Sequence, residues 1–119
     1  MSLILYVEDH PPARFLMEAI IRDLTPHRLV TAASCAEARQ RAASDPPDVY
    51  IIDLDLPDGD GYSLAKDLRA LHEAPTIITS AFDQTCALRQ TGFEFIYLRK
   101  PLDPDDVART LQRAASGQR

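Results

Sequence analysis

The sequence predicts an open, doubly wound α/β fold: a five-stranded parallel sheet with helices on both faces. Three observations carry this. Short apolar runs alternate with helical patterns five times along the 119 residues. The runs are mostly continuously apolar, as strands buried on both faces are. No internal repeat, low-complexity stretch or Gly/Ser-rich linker interrupts the alternation, and strands alternating with helical crossovers pair in parallel. One domain over residues 1–119 is therefore expected.

The elements follow in order. Leu3 to Val7 is the first strand. A helix opens at Pro11-Pro12 and carries Phe15, Leu16, Ala19, Ile20 and Leu24 at a helical period, ending before Pro26. Leu29 to Ala32 is the second strand. Ser34 caps a helix reaching about Ala43, with Glu37 three residues on as a capping box. Val49 to Ile52 is the third strand, and Tyr62 to Leu71 the third helix, with Leu64, Leu68 and Leu71 on one face. Thr76 to Thr79 is the fourth strand. A weakly amphipathic fourth helix falls within Phe82–Gln90, and Phe93 to Leu98 is the fifth strand. Asp103 caps the last helix, with Pro104 at its first position, where a missing N–H costs nothing.

Composition narrows the function. Hydrophobic residues make up 45% and charged residues 26%, ordinary values for a domain with a real core, and the net charge is −5. That acidic balance argues against a free-standing nucleic-acid binder, which needs a basic face to displace counterions. No positive n-region of a signal peptide precedes Glu8-Asp9, and the apolar runs fall far short of the ~18 residues of a membrane span. Cys35 and Cys86 lie far apart and read as buried free thiols. A cytoplasmic location is expected.

In a parallel sheet every strand's C-terminal end lies on one edge, and ligands bind in the crevice outside it. The first strand runs into Glu8-Asp9, the third into Asp53, the fourth into Thr79-Ser80 and the fifth into Arg99-Lys100. Three carboxylates, a hydroxyl and an amine should therefore converge. Singly, each has a plain reading: Asp9 as a turn former, Ser80 as a helix cap, Lys100 as a solvated turn lysine. Four strand ends together outweigh them. Clustered carboxylates need protons or a counter-charge, and Mg²⁺ favours one or two carboxylates with waters and phosphate oxygens. Lys100 adds a positive charge for a phosphate-like group, so the edge reads as a phosphoryl-handling site. His10, His27 and His72 are scattered, and only His10 adjoins the acidic pair.

From Leu3 to about Ala115 the chain resembles the receiver domain of two-component response regulators, the CheY-like group. The matching motifs are Glu8-Asp9; Ile51-Ile52-Asp53-Leu54-Asp55-Leu56-Pro57 with Asp60-Gly61; Pro75-Thr76-Ile77-Ile78-Thr79-Ser80-Ala81; and Tyr97-Leu98-Arg99-Lys100-Pro101. The resemblance implies a flavodoxin-like strand order of 2-1-3-4-5 and a cis Lys100–Pro101 bond. It implies Asp53 as phosphoacceptor for a histidine kinase or histidine phosphotransfer protein. It places Mg²⁺ on Asp9, Asp53 and the Asp55 carbonyl, with Glu8 acting through water. Ser80 would bond the phosphoryl group, Lys100 would pair with it, and Ser80 and Tyr97 would form the switch. The implied module is not a turnover enzyme. Its further partner would be a downstream protein or an attached output domain, with no direct nucleic-acid or membrane contact and a homodimer left open.

Some features depart from the family. Ser80 and Lys100 are 20 positions apart (100 − 80), which is short, so the fourth helix is expected to be short or irregular. Phe82 is bulky where it can overhang the acceptor. Only Ser116 to Arg119 follow the last helix, so no output domain is expected in this chain, whether stand-alone or excised from a larger regulator. Two other readings compete. Asp53-Leu54-Asp55 resembles the nucleophile motif of haloacid-dehalogenase-type phosphatases, but those carry it on the first strand of a longer chain. A receiver-like interaction domain without phosphorylation would not need the intact acceptor, acidic pair, hydroxyl and lysine. An EF-hand fails because Asp58, not Gly, stands at the sixth position of a loop starting at Asp53.

Overall fold

The computed structural model describes residues 2–81 and 96–115. Along the chain run β1 (Leu3–Val7), α1 (Pro11–Leu24), β2 (Arg28–Ala32), α2 (Cys35–Ser44), β3 (Val49–Asp53), β4 (Asp55–Leu56), β5 (Gly59–Asp60), α3 (Gly61–Leu71), β6 (Thr76–Ser80), β7 (Ile96–Arg99) and α4 (Pro104–Ala115). Five of the strands form one sheet in the order β2-β1-β3-β6-β7, all parallel. With the two-residue strands β4 and β5 set aside, this is the expected 2-1-3-4-5 order. The expected helix within 82–90, Phe82, Cys86 and the start of the fifth strand lie outside the described residues.

Alternate residues of each strand serve opposite faces of the sheet. Leu5, Val7, Tyr50, Ile52 and Ile78 pack with Ala38 and Ala42 of α2 and Leu64 and Leu68 of α3. Ile4, Tyr6, Val49, Ile51 and Ile77 pack on the other face with Met17, Ile20 and Ile21 of α1 and Val107 and Leu111 of α4. Both faces are thus covered, which explains the unbroken apolar runs of β1 and β3.

The structure corrects the apolar stripe of α1. Phe15 is 74% exposed, and Leu16 and Leu24 are also exposed, while Met17, Ile20 and Ile21 turn inward. Apolar residues spread over more than one face of this helix, so periodicity alone does not choose the inner one; packing against β1, β3 and α4 does. Leu71, at the last position of α3, is likewise exposed, and Leu64, Ala65 and Leu68 form the buried face.

The caps follow the sequence closely. Ser34 accepts the Glu37 amide at 3.2 Å, but Glu37 reaches back to the Ala33 amide at 2.7 Å, one residue beyond the position a capping box uses. Asp103 accepts the Asp105 amide at 3.2 Å at the start of α4. The antiparallel β4–β5 hairpin was not expected, although Pro57-Asp58-Gly59 carries the turn chemistry for it. The Lys100–Pro101 bond is cis. Among the described residues no helix is long and apolar enough to cross a membrane.

Candidate functional site

The C-terminal ends of β1, β3 and β6, and the residue after β7, meet on one edge. Pleating explains which side chains share a face there. Glu8 continues the Ile4–Tyr6 side of β1, Asp53 the Val49–Ile51 side of β3, and Lys100 the Ile96–Leu98 side of β7. An apolar face thus ends in a charged rim.

Three charges meet in that rim. Glu8 is fully buried and Asp53 is 3% exposed. Lys100 Nζ donates to Glu8 Oε1 at 2.7 Å and lies 3.3 Å from Asp53 Oδ1. Its placement starts in the backbone, where the Lys100 amide donates to the Ser80 carbonyl at 2.8 Å and extends the β6–β7 ladder. Arg14 from α1 donates to the Glu8 carbonyl at 2.8 Å, and the Tyr6 hydroxyl lies 3.5 Å from Glu8 Oε1.

Two buried carboxylates against one ammonium leave a negative surplus. Burial, then the neighbouring Glu8 carboxylate, pushes the Asp53 carboxyl well above the usual carboxylate range, and Lys100 only partly offsets this. Burial would also raise Glu8, but hydrogen bonds from the Asp53 carboxyl and the Lys100 ammonium outweigh it and hold Glu8 low. Lys100 is raised: burial alone would lower it, and the two carboxylates prevail. Tyr6 is raised by burial and then by the charge of Glu8. The pocket is poised to take up further positive charge.

Asp9 is half-buried beside this centre. Its Oδ1 is buried and accepts no hydrogen bond, and it lies 3.4 Å from His10 Nδ1. Asp55 is exposed at the start of the hairpin, paired in register with Asp60. Ser80 is buried as the last residue of β6. Tyr97 lies on the opposite face of the sheet from Lys100, half-buried against the core beneath α2 and α3.

Residues 4–112 match the family described as the response regulator receiver domain. The chain belongs to that family. It is 34% identical over 120 residues to the transcriptional regulatory protein KdpE of Mycobacterium tuberculosis, covering 96% of this chain and 51% of the relative. To KdpE of Escherichia coli it is 34% identical over 119 residues, covering 96% and 51%. The chain therefore spans about half the length of these curated relatives. Among solved structures it is similar to the chemotaxis protein CheY4 of Vibrio cholerae, with a TM-score of 0.86 at 25% identity, covering 96% of this chain and 98% of that one. A response regulator from Chloroflexus aurantiacus superposes with a TM-score of 0.85 at 27% identity, covering 97% and 98%. The fold is the CheY-like one, and the chain is a signalling module of two-component systems.

For a receiver domain, the structure brings Glu8, Asp53 and Lys100 into contact and sets Asp9 and Ser80 at the same edge. It adds Tyr6, Asp58 and Arg14, which the sequence reading did not assign to the site, and gives a steric reason for the glycine of the Asp60-Gly61 motif. Tyr6 stands two residues before Glu8 on the same strand face, a period-two relation legible in the sequence. Gly61 backs the end of β3: a Cβ there would lie 2.7 Å from the Asp53 carbonyl oxygen. Asp58 accepts the Cys35 and Ala36 amides at 2.8 and 3.1 Å, tying the hairpin to the start of α2. Arg14 had no local signal, because its partner is a backbone carbonyl reached through the tertiary fold.

Proposed function

We propose that Asp53 is the phosphoacceptor of a two-component phosphorelay, loaded by a phosphohistidine on a histidine kinase or phosphotransfer protein. One observation carries the reading: Asp53 is buried at a strand end, on the pocket rim, with a lysine ammonium 3.3 Å from its carboxylate. An Asp53 oxygen attacks phosphorus in line, the phosphorus–nitrogen bond breaks, and the histidine nitrogen leaves. Transfers of this kind depend mainly on position and charge neutralisation. Lys100 turns from Glu8 toward the incoming phosphoryl oxygens, and the Ser80 hydroxyl donates to them.

The donor set fits a hard divalent cation, Mg²⁺: oxygen ligands, surplus negative charge and an unbonded, buried Asp9 oxygen. Asp9, Asp53 and the Asp55 carbonyl would hold it, with Glu8 acting through water. When bound it neutralises charge on the phosphoryl oxygens. Phosphorylation then draws Ser80 toward the acceptor and lets Tyr97 turn inward, reshaping the face around β7 and α4 for a downstream partner, a shift between two packings. The domain works in the cytoplasm, alone or attached to an output domain.

The test is acetyl phosphate with Mg²⁺, followed by borohydride trapping and mass spectrometry. The label is expected at Asp53. Full labelling of the Asp53→Asn variant under the same conditions would overturn the assignment.

A further inference from the structure

We propose that Tyr6 is a positioning residue for phosphoryl transfer, its buried hydroxyl taking over Glu8 Oε1 when Lys100 leaves that oxygen. The inference rests on the phosphoacceptor reading, in which Lys100 turns to the phosphoryl group. It adds what happens to the carboxylate that the lysine leaves behind.

The two oxygens of Glu8 are held by different donors. Oε2 accepts the Asp9 amide at 3.1 Å, a backbone bond fixed by the end of β1. Oε1 has two donors among the described residues, the Lys100 ammonium at 2.7 Å and the Tyr6 hydroxyl at 3.5 Å. The first is a short, charge-assisted contact. The second is long for O–H···O, which closes to about 2.7–2.8 Å. While the lysine is in place, Tyr6 is therefore an under-used donor. Once the ammonium turns away, a fully buried carboxylate oxygen faces that hydroxyl alone. A buried charge without a partner is costlier than a neutral group in the same position, so the hydroxyl closes on it.

The fold gives this hydroxyl nothing else to do. Tyr6 is completely buried in the apolar layer of Met17, Ile20 and Leu111, in register with Ile51 of β3. A phenylalanine would fill that layer without bringing a polar atom that needs a partner. Tyr50, the other fully buried tyrosine, offers the contrast: two carbonyls accept from its hydroxyl, at 2.6 and 3.1 Å. Tyr6 has Glu8 alone among the described residues. The pleat supplies the aim, because Tyr6 stands one step below Glu8 on the same strand face. Burial, then the charges of Glu8 and Asp53, keep the proton on the phenol, so toward Glu8 it acts only as a donor.

The test places Tyr6→Phe in two backgrounds of the full chain. In the wild-type background urea unfolding should show little cost, because Lys100 already satisfies Oε1. In Lys100→Met the same substitution should lower the folding equilibrium constant roughly tenfold, the scale of a hydrogen bond to a charged group. Equal costs in both backgrounds would overturn the proposal, since a tyrosine that only fills the core is indifferent to the lysine. With acetyl phosphate and Mg²⁺, Tyr6→Phe should label at Asp53 roughly tenfold more slowly than wild type, for the same reason. Labelling at the wild-type rate would also overturn it, and this rate decides alone if Lys100→Met does not fold. The outcome is separable from the phosphoacceptor reading. A wild-type chain that takes no label at Asp53 sinks that reading, and the urea comparison, which needs no phosphoryl donor, then decides whether Tyr6 is the reserve donor to Glu8.

Discussion

Lys100 and Glu8, 92 residues apart in the chain, meet at 2.7 Å, closer than Lys100 stands to Asp53. The ammonium thus pairs first with Glu8, leaving Asp53 as the less well compensated of the two carboxylates. Glu8 consequently does two things: it holds the lysine ammonium, and its negative charge raises the proton affinity of Asp53.

Removing that ammonium should leave two buried carboxylates facing each other. Lys100→Met is expected to destabilise the metal-free protein by about 3 kcal/mol, the scale for orphaning a buried charge. Urea denaturation in chelator measures it. A double-mutant cycle with Glu8→Gln should show strong coupling, because the second change removes one of the orphaned charges. Additive effects would mean that the 2.7 Å contact contributes nothing.

The fold and the charged rim were legible because each depends on local pattern. Apolar runs marked the strands, and the strand ends delivered Glu8, Asp53 and Lys100 to one edge by topology alone. What stayed hidden depends on three-dimensional choice. Phe15 and Leu16 share the apolar character of Met17 and Ile20, and only packing decides which of them turns inward. Asp58 looks like one more loop carboxylate until the start of α2 is placed beside it. Pro57-Asp58-Gly59 carries the turn chemistry of the β4–β5 hairpin, but two-residue strands leave no periodic pattern on either side of it to mark them.

Gly61 should tolerate no side chain. A Cβ would stand 2.7 Å from the Asp53 carbonyl oxygen and 2.9 Å from the Leu54 Cα, both backbone atoms that cannot swing aside. Gly61→Ala is expected to cost about 1–3 kcal/mol, as overpacking does. It should also slow acceptor labelling by displacing the end of β3. Unfolding curves and labelling rates test the two effects separately, and unchanged values in both would refute the close approach.

Asp58 links its carboxylate to two amides of α2, and those bonds hold it below the usual carboxylate range. A depressed folded value means stability that is present above the unfolded value of about 4 and lost as pH falls through the folded one. Asp58→Asn should therefore lower the Tm at pH 7, and the gap from wild type should narrow as pH falls below about 4. A gap independent of pH would remove the carboxylate's charge from the account.

Thr79 is fully buried and pairs in register with Asp53, yet its hydroxyl has no hydrogen-bond partner among the described residues. An unmet buried hydroxyl costs free energy, so the near-isosteric Thr79→Val should stabilise the domain by about 1 kcal/mol. Chemical denaturation reads the sign directly. Destabilisation would show that the hydroxyl has a buried water or a phosphoryl-pocket partner to satisfy.

Tyr50 pins the end of α3 to the sheet, its hydroxyl 2.6 Å from the His72 carbonyl and 3.1 Å from the Leu68 carbonyl. Burial pushes this phenol up to about 12, and burial followed by the bond to Asp58 pushes the Cys35 thiol up to about 11. Both groups keep their protons in the folded chain at pH values where the unfolded chain has begun to lose them. The unfolded state then binds fewer protons, so stability falls as pH rises. For Cys35 the loss begins near its unfolded value of about 8.5, and for Tyr50 near about 10. Tyr50→Phe should cost about 1 kcal/mol at pH 7 through the lost hydrogen bond. It should also flatten the decline in Tm between pH 10 and 12, because phenylalanine has no proton to release. Thermal unfolding across that range decides the matter: a variant that declines as steeply as wild type would mean that the Tyr50 proton does not contribute to alkaline instability.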